Sequence, residues 1–230
     1  MSSPARQPNR RPGPAMREQL VDAGLRLLEE DGPEALQTRR VAAAVGASTM
    51  AVYTHFDGMT GLMEAIAAEA FARFGTALEA VRPSDDPIAD VLLLGYAYRG
   101  YALASPQRYR LMFGLTGPRT ALSPHSDFAI GDPGSAIGAA TFEPLVAAIE
   151  RLIESGHVRP DPPREVATRL WALVHGTVLL EIAGFLGSAE HSSLPVILGP
   201  ATIDFLVGMG CPRKRAERSM ARVRKAVGNR

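Results

Sequence analysis

The sequence contains one cysteine, few aromatic residues and no long run of apolar residues. With no second cysteine to pair with, Cys211 excludes an internal disulfide and any zinc or iron–sulfur site built from several cysteines. No segment approaches the roughly 18 to 20 consecutive apolar residues that a bilayer span needs. The basic start of the chain has no apolar stretch behind it and does not resemble an export signal. These absences predict a cytoplasmic protein.

Motifs for catalysis and for cofactor binding are also missing. The sequence has no Gly-rich phosphate loop and no serine elbow, and its five histidines are scattered rather than paired at metal-binding spacing. We therefore predict no catalytic residue, no metal site and no cofactor, and we do not expect an enzyme. A helical enzyme that uses His175 with Glu181 is kept as a remote alternative.

The charge of the chain is nearly balanced but unevenly distributed. The formal net charge is +1, yet residues 213–230 hold eight basic residues and one acidic residue, and residues 1–17 hold four arginines and no acid. An acidic body with two basic ends suits a protein whose ends meet a polyanion such as nucleic acid. Basic ends are also common as solvated termini. Both interpretations stay open from the sequence.

Apolar residues recur every three or four positions along most of the chain, which is typical of amphipathic helices. Prolines keep residues 1–15 out of regular structure, and we expect a disordered basic arm there. The first helix begins at about Arg17, the second at Thr38 and the third after Ser48. Further helices are expected at about 59–81, 87–104, 106–113, 137–155, 163–187 and 194–210, with a candidate lid rich in Gly, Pro and Ser at 114–138. Because no segment alternates with the period of a strand, we predict an all-α fold.

The second and third helices have the features of a helix-turn-helix, whose second helix enters the major groove of DNA. Alanines at 42–44 allow the helices to cross closely, and Gly46 permits the sharp turn. Thr38 and Ser48 are expected to cap helix N-termini, where backbone N–H groups attract phosphates. The candidate DNA-binding residues are Thr38, Arg39, Arg40, Ser48, Thr49, Met50, Tyr53, Thr54 and His55.

The stretch from about 17 to 64 contains LVDAGLRLLEEDGPEAL, TRRVAAAVGAS and VYTHFDGMTGLMEA. In the order of its small residues, its glycine turn and the aromatic pair Tyr53 and Phe56, it resembles the N-terminal domain of the TetR family of transcriptional repressors. The resemblance implies a homodimer in which each subunit offers one helix-turn-helix to double-stranded operator DNA. Met50 departs from the family pattern, which commonly has a small residue there, and it offers apolar contact to a thymine methyl. Residues 57–59 stand where the family often has a lysine, so one phosphate contact is not expected.

A second resemblance covers the C-terminal half. LWALVHGTVLLEIAG at 170–184 resembles the Trp-His-Gly class of TetR C-terminal domains, and SPQRYRLMFG at 105–114 resembles the segment before its variable loop. It implies a helical domain that dimerises through a four-helix bundle and often holds a small-molecule pocket. We expect a disordered arm at 1–15, a helix-turn-helix domain at 16–61, a regulatory and dimerisation domain at 62–211 and a basic tail at 212–230.

Aromatic residues of the C-terminal half are the candidates for an effector site, because pockets are mostly apolar with a few polar groups. We name Tyr98, Tyr101, Met112, Phe113, Phe142, Trp171 and His175, although most of them are equally suited to a plain core. The expected function is that of a TetR-type repressor released by a small apolar or aromatic effector. The alternative is a DNA-binding protein whose C-terminal domain is only a dimer or protein-docking scaffold. In the tail, Ala216, Met220, Val223 and Val227 suit either a basic amphipathic helix or a frayed end.

Overall fold

The computed structural model describes residues 16–115, 136–186 and 194–228 of the chain. Within these ranges it contains ten α-helices and no strand, which confirms the all-α prediction. None of the described helices is long and apolar enough to span a membrane. The arm at 1–15 and most of the loop at 114–138 lie outside the described residues.

The chain forms two compact units, the first ending at Ile66 and the second beginning at Ala67. The helix α4, Met59–Glu79, begins in the first unit and ends in the second. The four domain limits expected from the sequence stay a prediction.

The first unit contains α1 (Met16–Asp31), α2 (Thr38–Ala44), α3 (Thr49–Phe56) and the start of α4. Leucines and valines from its four helices form its core: Leu20, Leu28, Val41, Val52 and Leu62 are 0% exposed. Helices α1 and α4 lie so close that a Cβ added at Gly24 would stand 2.3 Å from Ile66 Cδ1. A side chain at position 24 would therefore require the end of the Ile66 side chain to move.

The turn between α2 and α3 depends on Gly46, whose φ of 70° lies in the left-handed region. The N–H of Ala47 donates to the carbonyl of Ala42 at 2.9 Å and closes the turn. Ser48 precedes α3 in an extended conformation, but its side chain makes no capping hydrogen bond. Ser48 therefore holds the expected N-cap position without the expected hydroxyl contact, whereas the cap position expected for Thr38 is wrong. Gln37 holds the cap position of α2, Thr38 is the first helical residue, and neither side chain caps the helix.

The second unit contains the rest of α4 and six further helices, α5 to α10. Their bounds are Pro87–Ala104, Pro106–Met112, Ala136–Glu154, Pro163–Ile182, Gly199–Gly208 and Arg213–Gly228. Helix α8 ends earlier than the expected residue 187, because Gly184 takes a left-handed φ of 82° and the N–H of Phe185 donates to the carbonyl of Leu180. The helix expected at 194–210 is divided into a π turn at Leu194–Leu198 and α9.

The basic tail forms a packed helix, α10. Ala216, Met220 and Val223 are buried on its inner face. The hydroxyl of Ser219 donates to both carboxylate oxygens of Asp86, at 3.0 and 2.9 Å, and Asp86 also accepts from the N–H of Ala89 at the start of α5. The amphipathic interpretation is therefore confirmed as far as Val223, where the tail is not frayed, but Val227, expected on the same face, is 38% exposed. Its basic side chains remain on the exposed outer face.

Candidate DNA interface and aromatic cluster

Helix α3 has a buried side and an exposed side. Val52 and Phe56, four residues apart, are 0% and 8% exposed, whereas Met50 and Tyr53 are 67% and 56% exposed. Thr49 and His55 are also exposed. The helix thus presents large apolar, aromatic and hydrogen-bonding groups to solvent, while its buried side packs against the rest of the unit.

The remaining candidate DNA-binding residues lie on the surface of the same unit. Arg39 and Arg40 are exposed on α2, Ser48 is exposed in the turn, and Thr38 is half-buried. The guanidinium of Arg40 lies 2.5 Å from the carboxylate of Asp31, while Arg39 has no ion pair within the described residues. On α3 the Thr54 hydroxyl donates to the carbonyl of Met50 at 2.9 Å, which leaves its oxygen to accept.

The end of α3 is held by an unusual turn. Asp57 takes a left-handed φ of 56° and Gly58 a φ of 109°. A Cβ at Gly61 would stand 2.0 Å from the carbonyl oxygen of Phe56, so only glycine fits there. The guanidinium of Arg17 lies over the ring of Phe56, 5.1 Å from its centroid. These contacts fix the direction of α3 within its unit.

In the second unit, three side chains that hydrogen-bond to one another lie among aromatic rings. The phenolic oxygens of Tyr98 on α5 and Tyr109 on α6 lie 2.7 Å apart, and His175 Nδ1 on α8 lies 2.8 and 2.6 Å from them. The indole of Trp171 donates to the Tyr98 oxygen at 3.3 Å and stacks on His175 with centroids 5.0 Å apart. We call these four residues, with Phe113 and Phe142, the aromatic cluster. The shared helical face expected for Trp171 and His175 is confirmed.

The cluster brings together five of the seven residues expected at an effector site: Tyr98, Phe113, Phe142, Trp171 and His175. Phe113 lies 4.5 Å from His175 between ring centroids, and Phe142 lies 6.4 Å from Trp171. Tyr101 lies beside Phe74 of α4 rather than at the histidine, and Met112 is fully buried in the core. Whether any of these residues touches an effector stays a prediction.

Tyr109 is the central residue that the sequence analysis did not single out. It is fully buried and touches Tyr98, Phe113 and His175. The only signal in the sequence was its place in the segment SPQRYRLMFG, where it stands four residues before Phe113 and so shares its helical face.

Burial keeps the polar members of the cluster neutral. Desolvation lowers the pKa of His175 to about 4. Desolvation also raises the pKa of the Tyr98 and Tyr109 phenols, so neither ionises near neutral pH. The pairing of His175 with Glu181 considered for an enzyme does not form. Six positions apart on α8, they face different ways, and Glu181 accepts two hydrogen bonds from Arg99 instead, with the Nε bond at 2.8 Å.

The fold and the exposed α3 define the class of a helix-turn-helix DNA-binding protein. Residues 20–66 match the model of the bacterial regulatory proteins of the tetR family. Residues 91–194 match the model of the tetracyclin repressor-like C-terminal domain. The chain belongs to the TetR family of transcriptional regulators, whose members act on DNA rather than as enzymes.

Known relatives agree with this assignment. An HTH-type transcriptional regulator of Mycobacterium tuberculosis is 27% identical over 218 residues, covering 83% of this chain and 90% of the relative. A Rhodococcus protein of unknown function has a similar fold, with a TM-score of 0.68, 24% identity, and coverage of 89% of this chain and 99% of that one. RolR in complex with resorcinol has a TM-score of 0.63 at 15% identity, covering 88% and 91% of the two chains.

Proposed function

We propose that the protein is a repressor that binds a pseudo-palindromic operator as a homodimer and leaves it when a small effector binds. The observation that supports this most directly is the surface of α3, where Met50 and Tyr53 are 67% and 56% exposed. Large exposed side chains on a short helix after a tight turn suit readout of the major groove. Because its target is chromosomal DNA, the proposed place of action is the cytoplasm.

The candidate residues divide between base reading and backbone contact. Thr49 and Met50, at the start of α3, are assigned to base edges, with the Met50 side chain suited to a thymine methyl. Arg39, Tyr53 and His55 are assigned to phosphates, which set register and carry no sequence information. Thr38 and Ser48 complete the proposed backbone contacts, together with Arg40 and Thr54, which would exchange their bonds to Asp31 and to the Met50 carbonyl for a phosphate.

Exposed apolar residues near the end of α8 support the homodimer. Leu180, Phe185 and Val196 are 48%, 78% and 74% exposed, which is unusual for residues of this size in an isolated domain. Gly176 lies one turn before Leu180, and a Cβ built there would have no neighbour within 4 Å. This strip leaves room for a partner helix to approach closely, as a four-helix bundle of α8 and α9 from two copies requires.

Contacts that the aromatic cluster and the nearby Tyr101 make with α4 support a route from effector to DNA. The Tyr101 hydroxyl donates to the carbonyl of Ala70 at 2.6 Å, and the ring of Phe74 lies 5.1 Å from that of Tyr98. Since α4 begins in the first unit, an effector that displaces these rings moves a helix shared with the DNA-binding unit. The effector must bind the released state more tightly, and a coupling of about 1–3 kcal/mol is typical. Resorcinol in the similarly folded RolR makes a small aromatic effector a reasonable class.

Footprinting on the promoter DNA beside the protein's own gene tests the proposal. We expect protection of two half-sites separated by about one helical turn. Selection from randomised DNA should show that Met50→Ala changes the preferred base at one position in each half-site. The control is Leu115→Ala, because Leu115 is also exposed, at 52%, but lies in the second unit. An unchanged preference in Met50→Ala would show that its assignment is wrong.

The alternative of a scaffold without an effector is distinguished by ligand screening. A thermal-shift screen with small aromatic and apolar compounds should find at least one that stabilises the protein and releases the operator. No stabilisation by any compound, together with intact operator binding, would favour the scaffold.

A further inference from the structure

The hydrogen positions in the aromatic cluster follow from counting donors and acceptors. Three atoms are within hydrogen-bond distance of one another: the oxygens of Tyr98 and Tyr109 and the Nδ1 of His175. The Trp171 N–H already donates to the Tyr98 oxygen. The two phenolic hydrogens must therefore find their acceptors among these three atoms.

Only one neutral form of His175 satisfies both phenols. If Nδ1 is unprotonated, one tyrosine donates to Nδ1 and the other donates to the first tyrosine's oxygen. If Nδ1 carries the hydrogen instead, it donates to a tyrosine, and one buried phenolic hydrogen has no acceptor. Leaving a buried donor unsatisfied is unfavourable. The ring hydrogen therefore belongs on Nε2.

The Nε2–H group has no hydrogen-bond partner among the described residues. Nδ1 and Nε2 lie on either side of the same ring carbon, so the Nε2–H bond is directed away from the two tyrosines. Trp171 stacks on the imidazole, and Phe113 approaches it with an interplanar angle of 63°. All three rings are half-buried, which leaves part of each accessible to a small molecule.

The cluster offers this donor without offering a positive charge. His175 is neutral at pH 7 because burial lowers its pKa to about 4. The arginine that contacts the cluster is already paired with an acid: Arg164 lies over the ring of Phe142 and pairs with Glu143. An anion placed against the cluster would lose its hydration without gaining a counter-ion, whereas an uncharged acceptor would lose little.

We propose that the effector site selects an uncharged aromatic carbonyl compound. Its ring packs against Trp171 and Phe113, and its carbonyl oxygen accepts a hydrogen bond from His175 Nε2. This inference rests on the proposed function, since it names the chemical class of the effector. It differs from a general preference for apolar ligands because it requires the ligand to place a hydrogen-bond acceptor at His175 Nε2.

The test compares acetophenone with α-methylstyrene, in which a CH₂ group replaces the carbonyl oxygen at nearly the same shape. Isothermal titration of the full chain without DNA is expected to show acetophenone binding about three to ten times more tightly, as one net hydrogen bond implies. Benzoate should bind more weakly than acetophenone. Equal affinities for the first two compounds, tighter binding of benzoate, or no binding of acetophenone would each overturn the inference.

Two variants of His175 test the roles of Nδ1 and Nε2 independently. His175→Asn places an amide oxygen where Nδ1 accepts from the tyrosines but has no donor at the Nε2 position. His175→Gln keeps a donor near Nε2 and loses the Nδ1 acceptor. We expect the preference for acetophenone to disappear in the Asn variant and to persist in the Gln variant, with circular dichroism showing that both are folded. A preference that survives in the Asn variant would contradict the assigned role.

Failure of this inference and failure of the proposed function have different signatures. The titrations contain no DNA, so equal affinities would refute the ligand class while operator footprints remained. Absence of any footprint would refute the repressor proposal while leaving the titrations interpretable.

Discussion

At the scale of single residues, two neighbouring arginines of α2 differ in whether they form an ion pair within the protein. Both Arg39 and Arg40 are exposed, but Arg40 is paired with Asp31 at 2.5 Å. Arg39 has no ion pair within the described residues. A phosphate contact releases counterions from DNA, so an arginine that makes one contributes to the salt dependence of binding.

We expect Arg39→Gln to reduce the magnitude of the slope of log affinity against log salt concentration by about 1.8, since each phosphate contact contributes about 0.9 and the proposed dimer carries two copies of Arg39. Arg40→Gln is the matched control and should change the slope less, because its guanidinium is already neutralised by Asp31. Fluorescence anisotropy of an operator duplex over a series of salt concentrations measures both. Equal slopes for wild type and Arg39→Gln would remove Arg39 from the proposed interface.

His175 gives the stability of the protein a definite dependence on pH. Its pKa is about 4 when folded and near 6.5 in the unfolded chain. Below pH 6.5 the unfolded chain therefore binds a proton that the folded chain does not, and stability is lost as the pH falls toward 4. We expect the melting temperature of wild type to fall more over this interval than that of His175→Asn, measured by scanning calorimetry. Parallel curves for the two proteins would contradict the buried neutral imidazole.

At the scale of elements, the junction between α3 and α4 depends on the absence of a side chain at Gly61. An added Cβ would lie 2.0 Å from the carbonyl oxygen of Phe56, a backbone atom that cannot rotate away. Helix α4 offers a contrast at Gly75, where an added Cβ would meet only Thr141 Cγ2 at 3.6 Å, which is ordinary contact.

Gly61→Ala is expected to destabilise the protein by about 1–3 kcal/mol through overpacking and to weaken operator binding, since it displaces α3. Gly75→Ala should be neutral or stabilising by roughly 0.5–1 kcal/mol, because alanine favours a helix interior. Chemical denaturation gives both free energies of unfolding. Equal changes in the free energy of unfolding for the two variants would show that the α3–α4 junction does not depend on the absence of a side chain at Gly61.

At the scale of the whole molecule, we propose that the exposed apolar strip near the end of α8 determines whether the protein binds DNA as a monomer or as a dimer. In the proposed dimer Leu180 is covered by the partner, so a charge there would be buried without a counter-ion. Lysine suits the last turn of a helix and should leave the subunit folded.

We expect Leu180→Lys to be a folded monomer in light scattering and to lose at least about tenfold in operator affinity, since one half-site is then bound alone. Val227→Lys is the control, because Val227 is also exposed, at 38%, but lies on α10 and not on α8. A Leu180→Lys protein that remained dimeric would place the interface elsewhere.

The sequence by itself determined the helices and the orientation of α3. Pro87 and the Ser105–Pro106 pair delimit α5 as expected, since proline begins helices and interrupts them. The four-residue spacing of Val52 and Phe56 predicts their burial and so places Met50 and Tyr53 outside. These are properties of neighbours in sequence, and local rules are sufficient to predict them.

Only the tertiary structure decided which polar groups meet in the interior. Asp90, 2% exposed, pairs with Arg151 at 2.8 Å from another helix, although a single acid on an amphipathic helix is ordinarily solvated. Tyr109 gained its role from Tyr98 and His175 on two other helices. On the tail helix, whose buried face its spacing predicted, Ser219 donates to Asp86, 133 positions away. Such partners are set by how distant helices pack, and no periodicity within one segment predicts them.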